Sequence, residues 1–203
     1  MPGRLKLYHN PQSRAVTAHW MLEEAGADYD LVPVEFREDG TRDPKILAVN
    51  PMGKVPTLVL EDGTVVTEVP AILAWVADAY PEKNLAPAPG SPERGSYYRW
   101  LFFVGSCFEP ALIERMMRQD AEPLPKMMVG WSSYDDVIDT VEGALKGREF
   151  LVGDHCTAAD VYMGAGLWWG GMFKGPRILE SEIIQGYIAR LAERPAFQRA
   201  MGG

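Results

Sequence analysis

Hydrophobic positions recur along this chain with two different periods, and the change from one to the other divides it. Leu5 to His9 alternates and reads as a strand, whereas Ala15, Ala18, Leu22 and Ala25 share one face of a helix that runs from Arg14 until Gly26 stops it. Leu31 to Phe36 predicts a second strand and Asp43 to Val49 a short helix. Thr57 to Leu60 pairs with Val65 and Val66 across an Asp62-Gly63 turn, and Pro70 to Tyr80 makes a helix halted by Pro81. The order is β-α-β-α-β-β-α.

Leu85 to Pro92 holds three prolines and a glycine, which suits an extended connector better than a packed element. Residues 1–82 are therefore expected to form an α/β domain, 83–92 a linker and 93–203 an all-helical domain. The helical stretches run from Glu93 to Asp120, Pro123 to Gly147, Ala158 to Phe173 and Ser181 to Arg194. Thr157 to Asp160 fits a capping box in which Asp stands in for the usual Glu or Gln, with Cys156 and Val161 as the hydrophobic staple. The helix it opens carries almost no charge and is expected to be buried on most sides.

Composition narrows the classes of function. With 203 residues, 47% of them hydrophobic and 24% charged, the chain can bury a substantial core. No apolar run approaches the roughly 20 residues of a membrane span, and Met1 to Lys6 lead straight into a strand, so a cytoplasmic location without membrane partners is expected. A net charge of -8 and the absence of a Lys/Arg cluster oppose nucleic-acid binding. The two cysteines, Cys107 and Cys156, match no metal spacing and read as reduced core thiols; no metal is expected.

Asn50-Pro51-Met52-Gly53-Lys54-Val55-Pro56, running into Thr57 to Leu60, is the most informative stretch. A proline tolerated at a strand's first residue makes Val55-Pro56 a candidate cis bond. The N–H and C=O of Val55 would then point out of the sheet, able to pair with an extended, peptide-like ligand.

That stretch, the Thr67-Glu68 pair ahead of the third helix, the proline-rich linker and the Thr157 to Asp160 box together resemble the cytosolic glutathione transferase family, in a bacterial, theta- or beta-like branch. The resemblance implies a thioredoxin-like N-terminal domain that binds glutathione as co-substrate, an all-helical domain that supplies an electrophile pocket, and a homodimer. It also directs attention to the end of the first strand, where a donor to the glutathione sulfur is needed. A thiol of pKa about 8.5 is only slightly ionised at neutral pH, and a hydrogen bond and a helix N-terminus both raise the thiolate fraction.

Ser13, at the expected N-cap of the first helix, and Asn10, at what looks like the position of the family's catalytic serine, are the candidate catalytic residues. Each also has an ordinary reading, as a helix cap and as a turn residue before Pro11. His9 and Tyr8 are further donors, although structural roles at a strand end suit them better, and His19 reads as a hydrogen-bonded core residue. The loop holds no cysteine, so it cannot form a mixed disulfide with glutathione.

For glutathione binding the resemblance implies Lys54, Val55, Pro56, Glu68 and Val69, with Glu68 pairing the ligand's α-amino group and the next helix start receiving its α-carboxylate. Where the family usually has serine after the acidic residue, this chain has Val69 and then Pro70, removing a hydroxyl and an N–H. In the second half, Tyr97, Leu101, Val104, Phe108 and Leu112 form one stripe, whereas Trp100, Phe103 and Met117 lie off it and are the candidate electrophile contacts. The leading expectation is conjugation of the glutathione thiolate to small hydrophobic electrophiles. The alternatives are glutathione-dependent peroxidase, isomerase or dehalogenase chemistry, or a non-catalytic binding protein on the same fold.

Overall fold

The computed structural model of the chain describes residues 4–118 and 121–202. Packing divides it into two compact units, Met1–Leu85 with Arg194–Gly203, and Ala86–Glu193.

The first unit contains β1 (Leu5–His9), α1 (Ala15–Ala25), β2 (Tyr29–Pro33), α2 (Pro44–Leu47), β3 (Thr57–Val59), β4 (Val65–Thr67) and α3 (Val69–Ala79). This is the expected order, in one sheet arranged β2-β1-β3-β4. Ala15, Ala18, Leu22 and Ala25 are buried, and Gly26 ends α1 in the left-handed region at φ 61°, its N–H capping Glu23 and Leu22 carbonyls. The second strand is displaced from its expected span. It begins at Tyr29 and ends at Pro33, because parallel pairing with β1 fixes Leu5 opposite Tyr29 and His9 opposite Pro33. As an edge strand it is mostly exposed, and an apolar pattern could not mark its ends. Phe36 keeps only an isolated bridge to Arg42.

The second unit holds α4 (Pro92–Phe103), α5 (Glu109–Met117), α6 (Tyr134–Leu145), α7 (Ala158–Met172) and α8 (Glu182–Ala192). The helix expected from Glu93 to Asp120 is interrupted by a π-helical turn at Val104–Phe108, just ahead of Pro110, which has no N–H to give an α-helical ladder. Asp120 lies outside the described residues. The helix expected from Pro123 starts only at Tyr134, because Pro123, Pro125 and Gly130 interrupt the approach and Ser133 accepts the Asp136 N–H as the actual cap. Tyr97, Leu101, Val104, Phe108 and Leu112 are all buried, as their stripe requires.

A further helix, α9 (Pro195–Met201), was not marked by periodicity and packs on α1 in the first unit. Phe197 meets Trp20 edge-on at 5.0 Å, and Arg194 grips Glu24 through both carboxylate oxygens at 2.6 and 2.7 Å. No helix among the described residues is long and apolar enough to cross a membrane.

Candidate active site

The register of the sheet assembles one edge from three distant segments. Tyr8 lies opposite Thr57 and Thr57 opposite Thr67, with β3 antiparallel to both neighbours. The chain leaving β1 at His9, the chain entering β3 at Pro56 and the chain leaving β4 at Glu68 therefore emerge at the same end.

The first segment is tied down by its own polar groups. Asn10 Nδ2 donates to the Val34 carbonyl at 2.8 Å, and its Oδ1 accepts the Gln12 N–H at 2.9 Å. Ser13 Oγ donates to the Asn10 carbonyl at 2.7 Å and accepts the Ala15 N–H at 3.1 Å. Ser13 is thus not the N-cap of α1; Arg14 is, in helical conformation and without a side-chain cap bond. Asn10 retains one amide N–H beyond the bond to Val34, whereas the single Ser13 proton is already engaged.

The second segment is held by a network that only part of the sequence reading anticipated. Val55-Pro56 is cis, as expected, and neither main-chain group of Val55 takes a partner among the described residues. Asn50 is buried and shapes the approach: its Nδ2 donates to the Lys54 carbonyl (3.0 Å) and to Thr57 Oγ1 (3.1 Å), while Oδ1 accepts the Met52 N–H (3.0 Å). Thr57 in turn donates to the Lys54 carbonyl at 3.0 Å. Asn50 and Thr57 thus shape the loop without standing among the candidate ligands. Gly53 is required here, since at φ 60° an added Cβ would sit 2.1 Å from Arg42 Cδ. Lys54 is exposed and Pro56 buried.

At the third segment Glu68 is itself the N-cap of α3, with an exposed side chain, a left-handed φ of 69° and no cap bond from its carboxylate. Val69 is not a cap position. It is the first helical residue, and its side chain is only 8% exposed.

Behind β1, on the side where α1 packs, the rings of His9 and His19 meet edge-on at 5.4 Å, and His19 meets Tyr29 at 5.7 Å. Tyr29 donates to Glu23, which Arg199 also engages. His9 Nε2 is buried with no partner among the described residues. Burial, reinforced by the neighbouring His19, pushes the His9 pKa down to about 4. Burial lowers that of His19 as well, against opposing pulls from Glu23 and the Ala200 main chain. His9 is consequently a neutral, inward group rather than an acid at the sheet's edge.

In the helical unit, Trp100 and Phe103 meet edge-on at 5.2 Å, with Arg99 4.1 Å over the Trp100 ring. Trp100 is only 3% exposed, so it is a buried residue despite lying off the expected stripe. Met117, the last residue of α5, is 78% exposed. Cys156 is buried as expected, but Cys107, within the π-helical turn, is only half-buried.

Family descriptions of the glutathione S-transferase N-terminal domain and C-terminal domain match residues 13–79 and 132–195. The chain belongs to the glutathione S-transferase family. It is 30% identical to the glutathione S-transferase GstA of Escherichia coli O157:H7 over 97% of each chain. A sphingomonad glutathione S-transferase solved in complex with glutathione is 31% identical, with a TM-score of 0.79 over 97% of each chain. A maleylacetoacetate isomerase of Pseudomonas aeruginosa is 29% identical over 86% of this chain and 84% of its own length. This transferase is accordingly an enzyme that uses glutathione as co-substrate, and its first unit is the thioredoxin-like domain of the family.

Proposed function

We propose that this transferase conjugates glutathione to small hydrophobic electrophiles, with the tripeptide laid along the edge where β1, β3 and β4 present their ends. The observation that carries this reading is the Val55 main chain, whose donor and acceptor take no partner among the described residues, beside a cis proline, and match an extended peptide. Glu68 takes the ligand's α-amino group, the start of α3 with the Val69 N–H its α-carboxylate, and Lys54 its glycyl carboxylate. The sulfur then comes to the loop after β1, where the remaining amide N–H of Asn10 is the first donor. Ser13 is the second, once its proton turns from the Asn10 carbonyl.

The chemistry needs little more than thiol ionisation and proximity. The thiol proton leaves to solvent, the thiolate forms a C–S bond to an activated carbon, and in a substitution the leaving group departs with its electron pair. Trp100, Phe103 and Met117 are the proposed apolar contacts for that electrophile. A cytoplasmic homodimer completes the reading.

Retention on immobilised glutathione followed by a conjugation assay tests it. Retention with turnover supports conjugation, retention without turnover favours a binding protein, and no retention removes the proposed pose. The similarity to a maleylacetoacetate isomerase favours a second reading, glutathione-dependent isomerisation, which the same purified protein would show as turnover of a cis-enone diacid without consumption of glutathione. Sedimentation at micromolar concentration checks the dimer, which a single species near the chain mass of 22.5 kDa would exclude.

A further inference from the structure

His9 is the last residue of β1 and stands directly before Asn10. Its carbonyl accepts the Val34 N–H at 2.9 Å, and the Val34 carbonyl accepts Asn10 Nδ2 at 2.8 Å. Both main-chain groups of Val34 therefore fix this pair of residues at the point where the chain leaves the sheet. The His9 ring ties the same residue to α1 behind the sheet, edge-on to His19 at 5.4 Å.

His19 is enclosed in turn. Tyr29 of β2 meets its ring at 5.7 Å, Glu23 of α1 stands 4.0 Å from its Nε2, and it hydrogen-bonds the Ala200 main chain of α9. Glu23 accepts from the Tyr29 hydroxyl and from Arg199 of α9. Glu23, Tyr29 and Arg199 are thus the titratable groups that face the histidine pair from α1, β2 and α9.

His9 Nε2 and His19 Nδ1 are buried and have no partner among the described residues. Contact between uncharged rings does the fixing, because a proton on either would put charge beside a buried nitrogen that lacks an acceptor. A small displacement here is carried straight to Asn10, and the activation of a bound thiol is sensitive to misplacement on the scale of an ångström.

We infer that His9, backed by His19, is a positioning residue for thiol activation: its uncharged ring sets the main chain from which the Asn10 amide reaches the sulfur, with α9 closing the stack. The inference rests on the role proposed for Asn10. A plain packing role would tie α1 to the sheet and leave the sulfur unaffected.

The test reads the pKa of bound glutathione by thiolate absorbance in the whole protein, with Asn10→Ala as the control for the Asn10 role. His9→Ala should raise that pKa by about 0.5 or more, a roughly three-fold loss of thiolate below the pKa, while affinity for S-methylglutathione stays within about two-fold. His9→Phe, which restores an uncharged ring, should recover the pKa. In the wild type the Asn10 side-chain amide resonance should move as the solution is acidified from about pH 6.5 toward about 4, and should move less in His9→Phe; this arm holds even if His9→Ala does not fold. If Asn10→Ala raises the thiol pKa and His9→Ala leaves it unchanged, the inference falls and the role of Asn10 stands. If Asn10→Ala leaves it unchanged, both fall. An unrecovered pKa in His9→Phe, or an Asn10 resonance that ignores the acid titration or follows it equally in His9→Phe, would also overturn the inference.

Discussion

Helix α7 begins with its polar groups fully engaged, whereas α3 begins on a glutamate whose carboxylate caps nothing. At α7 the Asp160 carboxylate is completely buried and accepts the Leu151 N–H, the Thr157 N–H and hydroxyl, and the Tyr187 hydroxyl, all at 2.8 to 2.9 Å. At α3 the Glu68 side chain is exposed and its backbone is held left-handed. The same element of structure, a helix N-terminus with its unsatisfied N–H groups, is spent on folding in one place and left open in the other. The donors that close α7 are absent from α3, and that difference separates a structural carboxylate from one available to a ligand.

The largest effect is expected from breaking the closed start. Burial raises the Asp160 pKa while its hydrogen bonds oppose the shift, so the group has little to spare. Asp160→Ala leaves the Leu151 and Thr157 N–H groups and the Tyr187 hydroxyl without their acceptor, and should cost roughly 3–5 kcal/mol in urea unfolding. A loss below about 1 kcal/mol would mean that α7 starts on other contacts.

On the open side, Asn10→Ala should reduce turnover by about ten-fold or more, corresponding to roughly 1.5–3 kcal/mol, and raise the pKa of bound glutathione. Ser13→Ala should have the smaller effect of the two, because its proton is engaged by the Asn10 carbonyl. Spectroscopic titration of the bound thiol checks both. If neither variant moves that pKa, the donor lies outside this loop.

A smaller effect is expected from the buried histidines behind the open edge. The folded-state pKa values of His9 and His19 lie below their ordinary value, so the unfolded chain takes up protons first as the solution is acidified. Their contribution to stability is complete above about pH 6.5 and declines as pH falls toward about 4, where folded His9 protonates too. Allowing for their partial exposure, the loss should be about 1–2 kcal/mol. Denaturation midpoints collected across that window should slope downward with acidity in the wild type and less so in His9→Gln.

The smallest effect concerns Val69→Ser. Because Val69 is buried at the first helical position and Glu68 is the cap, the serine hydroxyl would cap nothing and would replace apolar packing. A loss of about 1 kcal/mol without tighter glutathione binding is expected, by thermal unfolding and calorimetric titration. Tighter binding would show that the α3 start lacks only a hydroxyl donor.

Much of the first unit was legible in the sequence because its signals are local. The apolar face of α1, the Asp62-Gly63 turn and the cis Val55-Pro56 bond each depend on residues within a few positions of one another, as does the Thr157 to Asp160 box of the second unit. The ends of β2 were not legible, since an exposed edge strand takes its limits from β1. The true start of α6 was hidden behind Pro123, Pro125 and Gly130, and the half-burial of Cys107 in the π-helical turn was not legible either. Asn50 was visible as part of a motif, but its bonds to Lys54 and Thr57 were not.

The sequence by itself determined the family and the β-α-β-α-β-β-α order of elements from Leu5 to Ala79, and marked the loops proposed to carry the chemistry, because periodicity, caps and turn residues act over one or two turns of chain. Only the tertiary structure decided what those side chains are free to do. The Asn10 amide is drawn to a carbonyl 24 residues away, Glu24 is claimed by an arginine 170 residues later, and Val69 is buried beyond reach of a capping role. Hydrogen-bond donors and acceptors are spent on whatever the fold brings within 3 Å, and that distance is not written in sequence separation.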